Sequence, residues 1–470
     1  MAAEAQVDLV IVGGGVAGLV AANRALELGK SVVVLEAQSE RKYPCATRMS
    51  GGVFHVIFRS VTVPPDELFR AIMEGTEGYA DPALARAIAD NAARAVDWLR
   101  GLGVCFGRLE PDRGWIDNIL TPLGYQSNTN LVWEGLGSDV FMELMESRLV
   151  AGGGRLVRGQ RARELLVESG RCVGVAVPGD GTPTVYRARA VVLADGSFHG
   201  NHDMLRQHVT AHPERLLFRG PATGRGDGIV MGQSLGAAVA GMKYFYGHLL
   251  SADALHNENL VLFPFIDFVA AGGILVDGQG RRFADEGRDG RYMTNMLAQT
   301  ETGIGTAIFD EGIWNEEGRH FHSPPNPNLI EKKGTLHKAD DLTTLAALAG
   351  LPGEALLRSV SEYNAALAAG RLDRLTPPRT TVPLKASPIV TPPFYAAPAC
   401  AAITHAFGGI TIDDRARVLR EDRSPIPGLY GAGAICGGID GGPGAAYVGG
   451  LIIGAVFGML AAETIAGRAR

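Results

Sequence analysis

Cysteine is scarce: five in 470 residues, with no Cys-x-x-Cys pair and no haem-attachment motif. Cys45, Cys105, Cys172, Cys400 and Cys436 are widely spaced, which argues against a zinc site, an iron–sulfur cluster or a disulfide framework and suits a reducing, cytoplasmic location. No metal site is expected. Positive charge is not in surplus either. A net charge of −6 gives no electrostatic reason to expect nucleic acid or an anionic membrane as partner. No apolar run is long enough to span a bilayer. The longest, Leu451 to Ala462, contains Gly454 and Gly458 and reads as a buried helix. No basic segment followed by an apolar one precedes the first strand, so no signal peptide is expected. There is no internal repeat of solenoid period. What is left is an ordinary globular composition, 46% hydrophobic and 20% charged, long enough for two or three domains.

Glycine is abundant, at 63 residues, and clusters at strand-to-helix turns. The first cluster is the most informative. Val7-Asp8-Leu9-Val10-Ile11-Val12 reads as a strand, Gly13-Gly14-Gly15-Val16-Ala17-Gly18 as a Gly-x-Gly-x-x-Gly turn into a helix, and Ser31 to Glu36 as a second strand ending in an acid. Each part has a task on a dinucleotide. Gly13 permits the tight turn, Gly15 lets backbone approach a pyrophosphate, and Gly18 lets helix and strand pack closely. The N–H groups of Val16 and Ala17 open the helix, where its dipole favours phosphate. Glu36, followed by Ala37, stands where a carboxylate accepts hydrogen bonds from ribose hydroxyls.

Downstream, Pro64 to Leu102 and Ser138 to Leu149 are expected to be helical. Gly154–Val157, Arg163–Val167 and Cys172–Val177 are expected strands, and Ala188 to Gly196 is a buried strand closing into a Gly turn. From Gly241 to Pro392 the character changes. Strands such as Gly273–Val276 alternate with a Pro- and Asn-rich loop, Ser323 to Asn328, and a helical pair, Leu342–Ala349 and Gly353–Ala369. This segment reads as an inserted domain. Gly409–Asp413 and Gly428–Gly433 are expected to rejoin the first domain as strands, before a C-terminal helix from Gly449 to Ile465.

With Ser50-Gly51-Gly52, Ala194-Asp195-Gly196, Ala222 to Gly228, Gly272 to Val276, Arg282-Phe283-Ala284-Asp285-Glu286 and Gly428 to Gly433 in this order, the chain resembles the FAD-dependent fumarate reductase/succinate dehydrogenase flavoprotein superfamily. Within it, the look is closer to tricarballylate dehydrogenase-like and ketosteroid dehydrogenase-like members. The resemblance runs nearly end to end. It implies an α/β fold: a Rossmann-like FAD-binding domain of the glutathione reductase type, residues 1–240 and 393–470, with an inserted α+β capping domain, residues 241–392. It also implies FAD contacts from Arg48, Ser50, Gly51, Gly52, Ala194, Asp195, Gly196, Gly433 and Ala434. Members that attach the flavin through histidine have it where this chain has Cys45, so noncovalent FAD is expected. Family members commonly carry Glu where Ala434 stands here.

The resemblance also implies active-site roles. His248 and His405 fall at the two substrate-binding histidines of fumarate reductases. The segment Gly287 to Tyr292 holds the family's proton-passing arginine. Arg291 has the tricarballylate dehydrogenase-like spacing, and Arg288-Asp289 copies the fumarate reductase dipeptide two residues early. Gly444, in Gly441 to Ala445, matches a ketosteroid dehydrogenase turn whose backbone N–H polarises a ketone, although the tyrosine before that turn is Asp440 here. Tyr447 replaces the arginine that clamps a second carboxylate in fumarate reductases. The acid and arginine of their proton relay align with Asp267 and Ala270. These departures disfavour fumarate itself. The expected function is a dehydrogenase forming a C=C bond beside a carbonyl or carboxylate of a small acid or cyclic ketone. Hydride would pass to flavin N5 and the proton would leave through Arg291, Arg288 or Tyr447, with an unidentified electron acceptor downstream. The alternatives are a fumarate reductase or tricarballylate-type enzyme, with Arg48, Arg219 or Arg225 replacing the clamp, and a flavin electron-transfer or redox-sensing protein.

Overall fold

A computed structural model describes residues 6–109, 116–123, 133–179, 181–320 and 324–468. The first strand, Val7–Val12, has side chains that are mostly apolar on both faces, the pattern of a strand covered above and below. It lies between Val32–Glu36 and Thr184–Leu193, parallel to both, with Leu9 opposite Val32 and Ala190. Arg155–Arg158 extends this parallel core on one side and Pro425–Gly431 on the other. A hairpin of Glu164–Glu168 and Arg171–Val177 joins through the early part of Thr184–Leu193.

The helix Val16–Glu27 follows the glycine turn and packs on the C-terminal helix Gly450–Ile465. Gly454 and Gly458 lie against Val16 and Ala17, so the two helix backbones approach closely. Gly450–Ile465 is apolar all round and buried, as a core helix must be. Burying Ile452, Ile453, Val456 and Phe457 contributes roughly 1.5–3 kcal/mol each. Among the described residues no helix is long and apolar enough to cross a membrane.

The segment expected to be helical from Pro64 to Leu102 is two helices, Pro65–Gly75 and Pro82–Gly101. Asp81 separates them by accepting the N–H groups of Ala83 and Leu84 at the start of the second. Gly137–Ala151, Leu342–Leu348 and Gly353–Ala368 are helices as expected. The expected loop Ser323–Asn328 starts outside the described residues, and its remainder enters the helix Pro325–Glu331.

A second sheet is built on the long strand Phe394–Ala406, which pairs antiparallel with Phe245–Ser251 and Ile304–Asp310. Ile274–Val276 lies beyond Ile304–Asp310, and Leu217–Phe218 and His337–Ala339 also pair with the long strand. The expected divisions at 240/241 and 392/393 therefore run through this sheet. Composition changes at the Pro-rich stretch ending in Pro393, but hydrogen bonding continues past it to Ala406. Of the expected strand Gly409–Asp413, only Gly409–Ile410 is strand, and it pairs with Val239–Ala240 in a separate two-stranded ribbon. The two chain crossings between the sheets thus lie side by side.

Candidate cofactor cleft and active site

The glycine turn is built as its spacing requires. Gly13 adopts φ +105°, and a Cβ at Gly18 would be driven into Gly13 O. Glu36 reaches back over the turn, accepting Gly14 N–H on Oε2 (3.0 Å) and Gln38 N–H on Oε1 (2.9 Å). Burial raises its pKa against these bonds. Two residues that sequence reasoning passed over complete the turn. The Tyr43 hydroxyl donates to Gly14 O (2.8 Å), and Thr47 Oγ1 accepts Val16 N–H (3.0 Å) at the helix start. Neither has a motif of its own; only folding brings residues 43–47 back to the turn.

Across the turn, Asp195 accepts Gly228 N–H on Oδ2 (2.8 Å), while its buried Oδ1 has no hydrogen-bond partner. Burial pushes this carboxyl up to about 7. A buried acceptor without a donor is costly unless a ligand supplies one. The residues present therefore fit a dinucleotide. Ala17 N–H at the helix start would hold the pyrophosphate, with the Val16 N–H expected there already taken by Thr47 Oγ1; Glu36 would hold the ribose, and Asp195 a hydroxyl-bearing part of the same ligand. Gly433 abuts Ala17, with Ala434 following it. Ser50, before Gly51 and Gly52, bonds Thr47 O (2.8 Å) and pairs with Ser138 Oγ (3.0 Å).

Arg48, expected to contact FAD, stands on the far side of Thr47 in sequence and is held by carboxylates, with its buried Nε left without a hydrogen-bond partner among the described residues. Its guanidinium is fully buried, pairs with Asp139 and Glu146, and lies 5.0 Å from the Tyr43 ring centroid. Asp139 and Glu146 are seven apart on the helix Gly137–Ala151, hence on one face. The Arg48 Nη1 and Nη2 groups are committed to this internal ion network.

The catalytic candidates meet at the second sheet. Tyr246 and His248 alternate on Phe245–Ser251, and Tyr246 lies opposite His405 in register. His248 Nδ1 is 2.6 Å from Asp267 Oδ2, whose other oxygen accepts Leu249 N–H (2.7 Å). A carboxylate only accepts, so Nδ1 carries the proton. Burial lowers the His248 pKa despite Asp267, leaving neutral Nε2 to accept the Tyr246 hydroxyl (3.3 Å). A Cβ at Gly290 would collide with Asp267, so only glycine fits where the helix Gly290–Ala298 starts beside that carboxylate.

Arg291 stands in the first turn of this helix. Asp289 caps the helix through Tyr292 N–H (3.0 Å) with one oxygen and holds the Arg291 Nε (2.9 Å) with the other. The guanidinium also lies 4.7 Å from the Phe58 ring centroid. Burial opposes its charge, but Asp289 and Tyr246 hold its pKa above the usual arginine value. Tyr447 stacks on Tyr246 (4.1 Å between centroids, 22°), and His405 lies 5.8 Å from Tyr447. The Tyr447 oxygen accepts Gly450 N–H (2.8 Å) at the N-terminus of the last helix. Tyr246, His248, His405, Arg291 and Tyr447 are thus one aromatic-lined cluster. Tyr246, another residue not singled out from sequence, is its centre.

Arg288 and Gly444 lie together elsewhere. Arg288 pairs with Glu77 and reaches Pro443 O (3.4 Å), and Gly444 sits against the same Glu77 carboxylate. The arginine spaced three residues from Arg288 faces the cluster; Arg288 itself faces the rim.

Burial depresses His55 and His405 to about 3. In the unfolded chain both titrate near 6.5. Their contribution to stability is present above that value and is lost as pH falls toward 3. His405→Gln is expected to flatten the decline in stability between pH 6.5 and 4 by up to about 1.4 kcal/mol per pH unit. Denaturant midpoints across that range check this, and identical slopes for variant and parent contradict it.

Three comparisons bear on this geometry. The NADH:acrylate oxidoreductase of Vibrio harveyi is 27% identical over 93% of this chain and 48% of its own length, so the chain spans about half of that relative. The fumarate reductase (cytochrome) of Shewanella frigidimarina is 25% identical over 98% of this chain and 77% of its own. The 3-ketosteroid delta1-dehydrogenase of Sterolibacterium denitrificans, solved with 1,4-androstadiene-3,17-dione, shares the fold: TM-score 0.74, 21% identity, 98% of this chain and 99% of that one. Residues 8–444 match the family described as FAD binding domain, and the chain belongs to that family.

Proposed function

We propose that this chain is a FAD-dependent oxidoreductase of CH–CH bonds that forms a double bond beside the carbonyl or carboxylate of a small organic acid or cyclic ketone. The observation that carries this reading is the convergence of Arg291, Tyr246, His248, His405 and Tyr447 in one cluster of a chain that belongs to a FAD-binding family. Its relatives are named for reactions of acrylate and fumarate. FAD, when bound, supplies the two-electron acceptor, and the protein supplies orientation, proton handling and electrostatics.

Each side chain has a task. Arg291 would relay the proton from the carbon beside the activated one, giving a guanidinium proton to the Asp289 carboxylate that holds it as it accepts that one. His248, fixed by Asp267, holds the Tyr246 hydroxyl in place, and His405 helps to hold the oxygen that activates the substrate. Tyr447, its oxygen at a helix N-terminus, is the second candidate for the proton. The capping role falls to residues 241–392 together with the strand Phe394–Ala406. Asp267 bonds His248 and Leu249, and Ala270 stands where the relay arginine is expected; this supports oxidation as the working direction. The reverse reaction on a di- or tricarboxylate is the second reading, favoured by the two named reductases.

Desolvation pushes the Cys45 thiol up to about 12, so it stays protonated and unreactive. This supports a noncovalently bound cofactor, and acid precipitation is expected to release all yellow colour into the supernatant. A coloured pellet contradicts this. The five free cysteines suit a cytoplasmic location. The test of function is anaerobic bleaching of the flavin by a panel of saturated acids and cyclic ketones. Rapid enoate reduction without any oxidation of the saturated partner reverses the direction, and indifference to every compound removes the enzymatic reading.

A further inference from the structure

Between Val56 and Arg59 the chain reverses on itself. Val56 N–H bonds Arg59 O (3.0 Å) and Arg59 N–H bonds Val56 O (2.8 Å), so Ile57 and Phe58 are the central residues of a tight turn. Both are left-handed, at φ +46° and +60°. Glycine or asparagine normally fills such a turn, and a β-branched residue there is strained. Strain of this kind persists only where the surroundings over-determine it. Here they do. Val448 O accepts the Ile57 N–H (2.6 Å), and the Ile57 side chain lies against Gly75, where a Cβ would strike its Cδ1. His55 Nδ1 accepts the Phe58 N–H (3.0 Å), and the two rings stack at 4.7 Å and 15°.

The turn thereby holds out a large apolar ring that is 43% exposed. Over that ring lies the Arg291 guanidinium, 4.7 Å from its centroid. Asp289 holds one edge of the guanidinium through Nε and Nη2, and Nη1 has no partner among the described residues. An ion pair to a carboxylate two residues back in the chain fixes that edge but leaves the plane free to swing about it. A ring against the face removes this freedom and favours the cation.

We propose that Phe58 is a positioning residue for Arg291: the strained turn carries its ring against the guanidinium and keeps Nη1 presented to the substrate. This rests on the oxidoreductase reading, with Arg291 as proton carrier, and names what orients that carrier.

Two measurements on the FAD-loaded protein test it. The first needs no substrate. With isotope-labelled arginine, the guanidinium protons of Arg291, identified by their loss in Arg291→Met, are expected upfield of the other arginines because they lie over a ring. In Phe58→Leu they are expected to return to the ordinary range. The second is single-turnover reduction of the flavin by butyrate, succinate, cyclohexanecarboxylate and cyclohexanone. Phe58→Leu is expected to slow it roughly three- to thirtyfold, with affinity changed less. Replacing Phe58 by trifluorophenylalanine, which keeps the shape and weakens the π face, slows it in the same direction should Phe58→Leu disturb the turn. In the Arg291→Met background neither replacement slows reduction further, since the two residues act as one unit. An unshifted Arg291 signal, a parental rate in Phe58→Leu, or equal slowing with and without Arg291 overturns the proposal. A shifted signal in a protein that none of these compounds reduces sinks the redox reading alone. Rapid reduction indifferent to Phe58 sinks the positioning alone.

Discussion

Gly18→Val is expected to yield a protein with almost no bound FAD and a markedly lower melting temperature. Any Cβ at this position overlaps Gly13 O and comes within 3.2 Å of Ile11 Cγ2. The helix Val16–Glu27 must then lift from the first strand, which moves the Ala17 N–H and the helix start away from where phosphates would bind. Overpacking a tight contact costs typically about 1–3 kcal/mol, and more where only backbone can yield. Gly101→Ala is the control: nothing lies within 4 Å of where its methyl group would stand, and the residue is helical. The ratio of flavin to protein absorbance, with reconstitution by added FAD, is the measurement. A fully flavinated Gly18→Val protein contradicts the assignment of this turn.

The second large effect separates the two arginines. Arg291→Met is expected to slow single-turnover flavin reduction by about 10²–10⁴-fold, the range for loss of a positioned proton carrier. Substrate affinity should change less than the rate, because a proton carrier acts in the transition state. Arg288→Ala should change the rate less than about tenfold, since its partner is Glu77 at the rim and exposed ion pairs contribute little. Comparable losses in both variants would remove the distinction drawn from the geometry. A loss confined to Arg288 would reverse it.

Much of this was readable along the chain. The strand, glycine turn, helix and acidic strand end are local, so residues 7–36 announce their structure and cradle together. The helices Gly353–Ala368 and Gly450–Ile465 likewise follow from periodicity or apolar content over a single element. Boundaries that depend on pairing were less legible. Phe394–Ala406 looks like a return to the first domain, yet its hydrogen-bond partners are Phe245–Ser251 and Ile304–Asp310, far earlier in the chain. Tyr43 and Thr47 carry no spacing signal, and Tyr246 is noticed only because it faces His248 and Tyr447.

The linear order of residues was enough to establish a dinucleotide fold, its glycine turn, and a short roster of histidines and arginines, because those features are encoded by spacing within one or two elements. Which arginine faces the cluster, which is enclosed by carboxylates, and which pairs beside Gly444 depended on the folded chain. Arg48, Arg219, Arg288 and Arg291 are chemically identical. Only the partners that distant strands and helices bring to them, Asp139 and Glu146, Thr404 and Phe265, Glu77, or Asp289 and Phe58, give each its separate role.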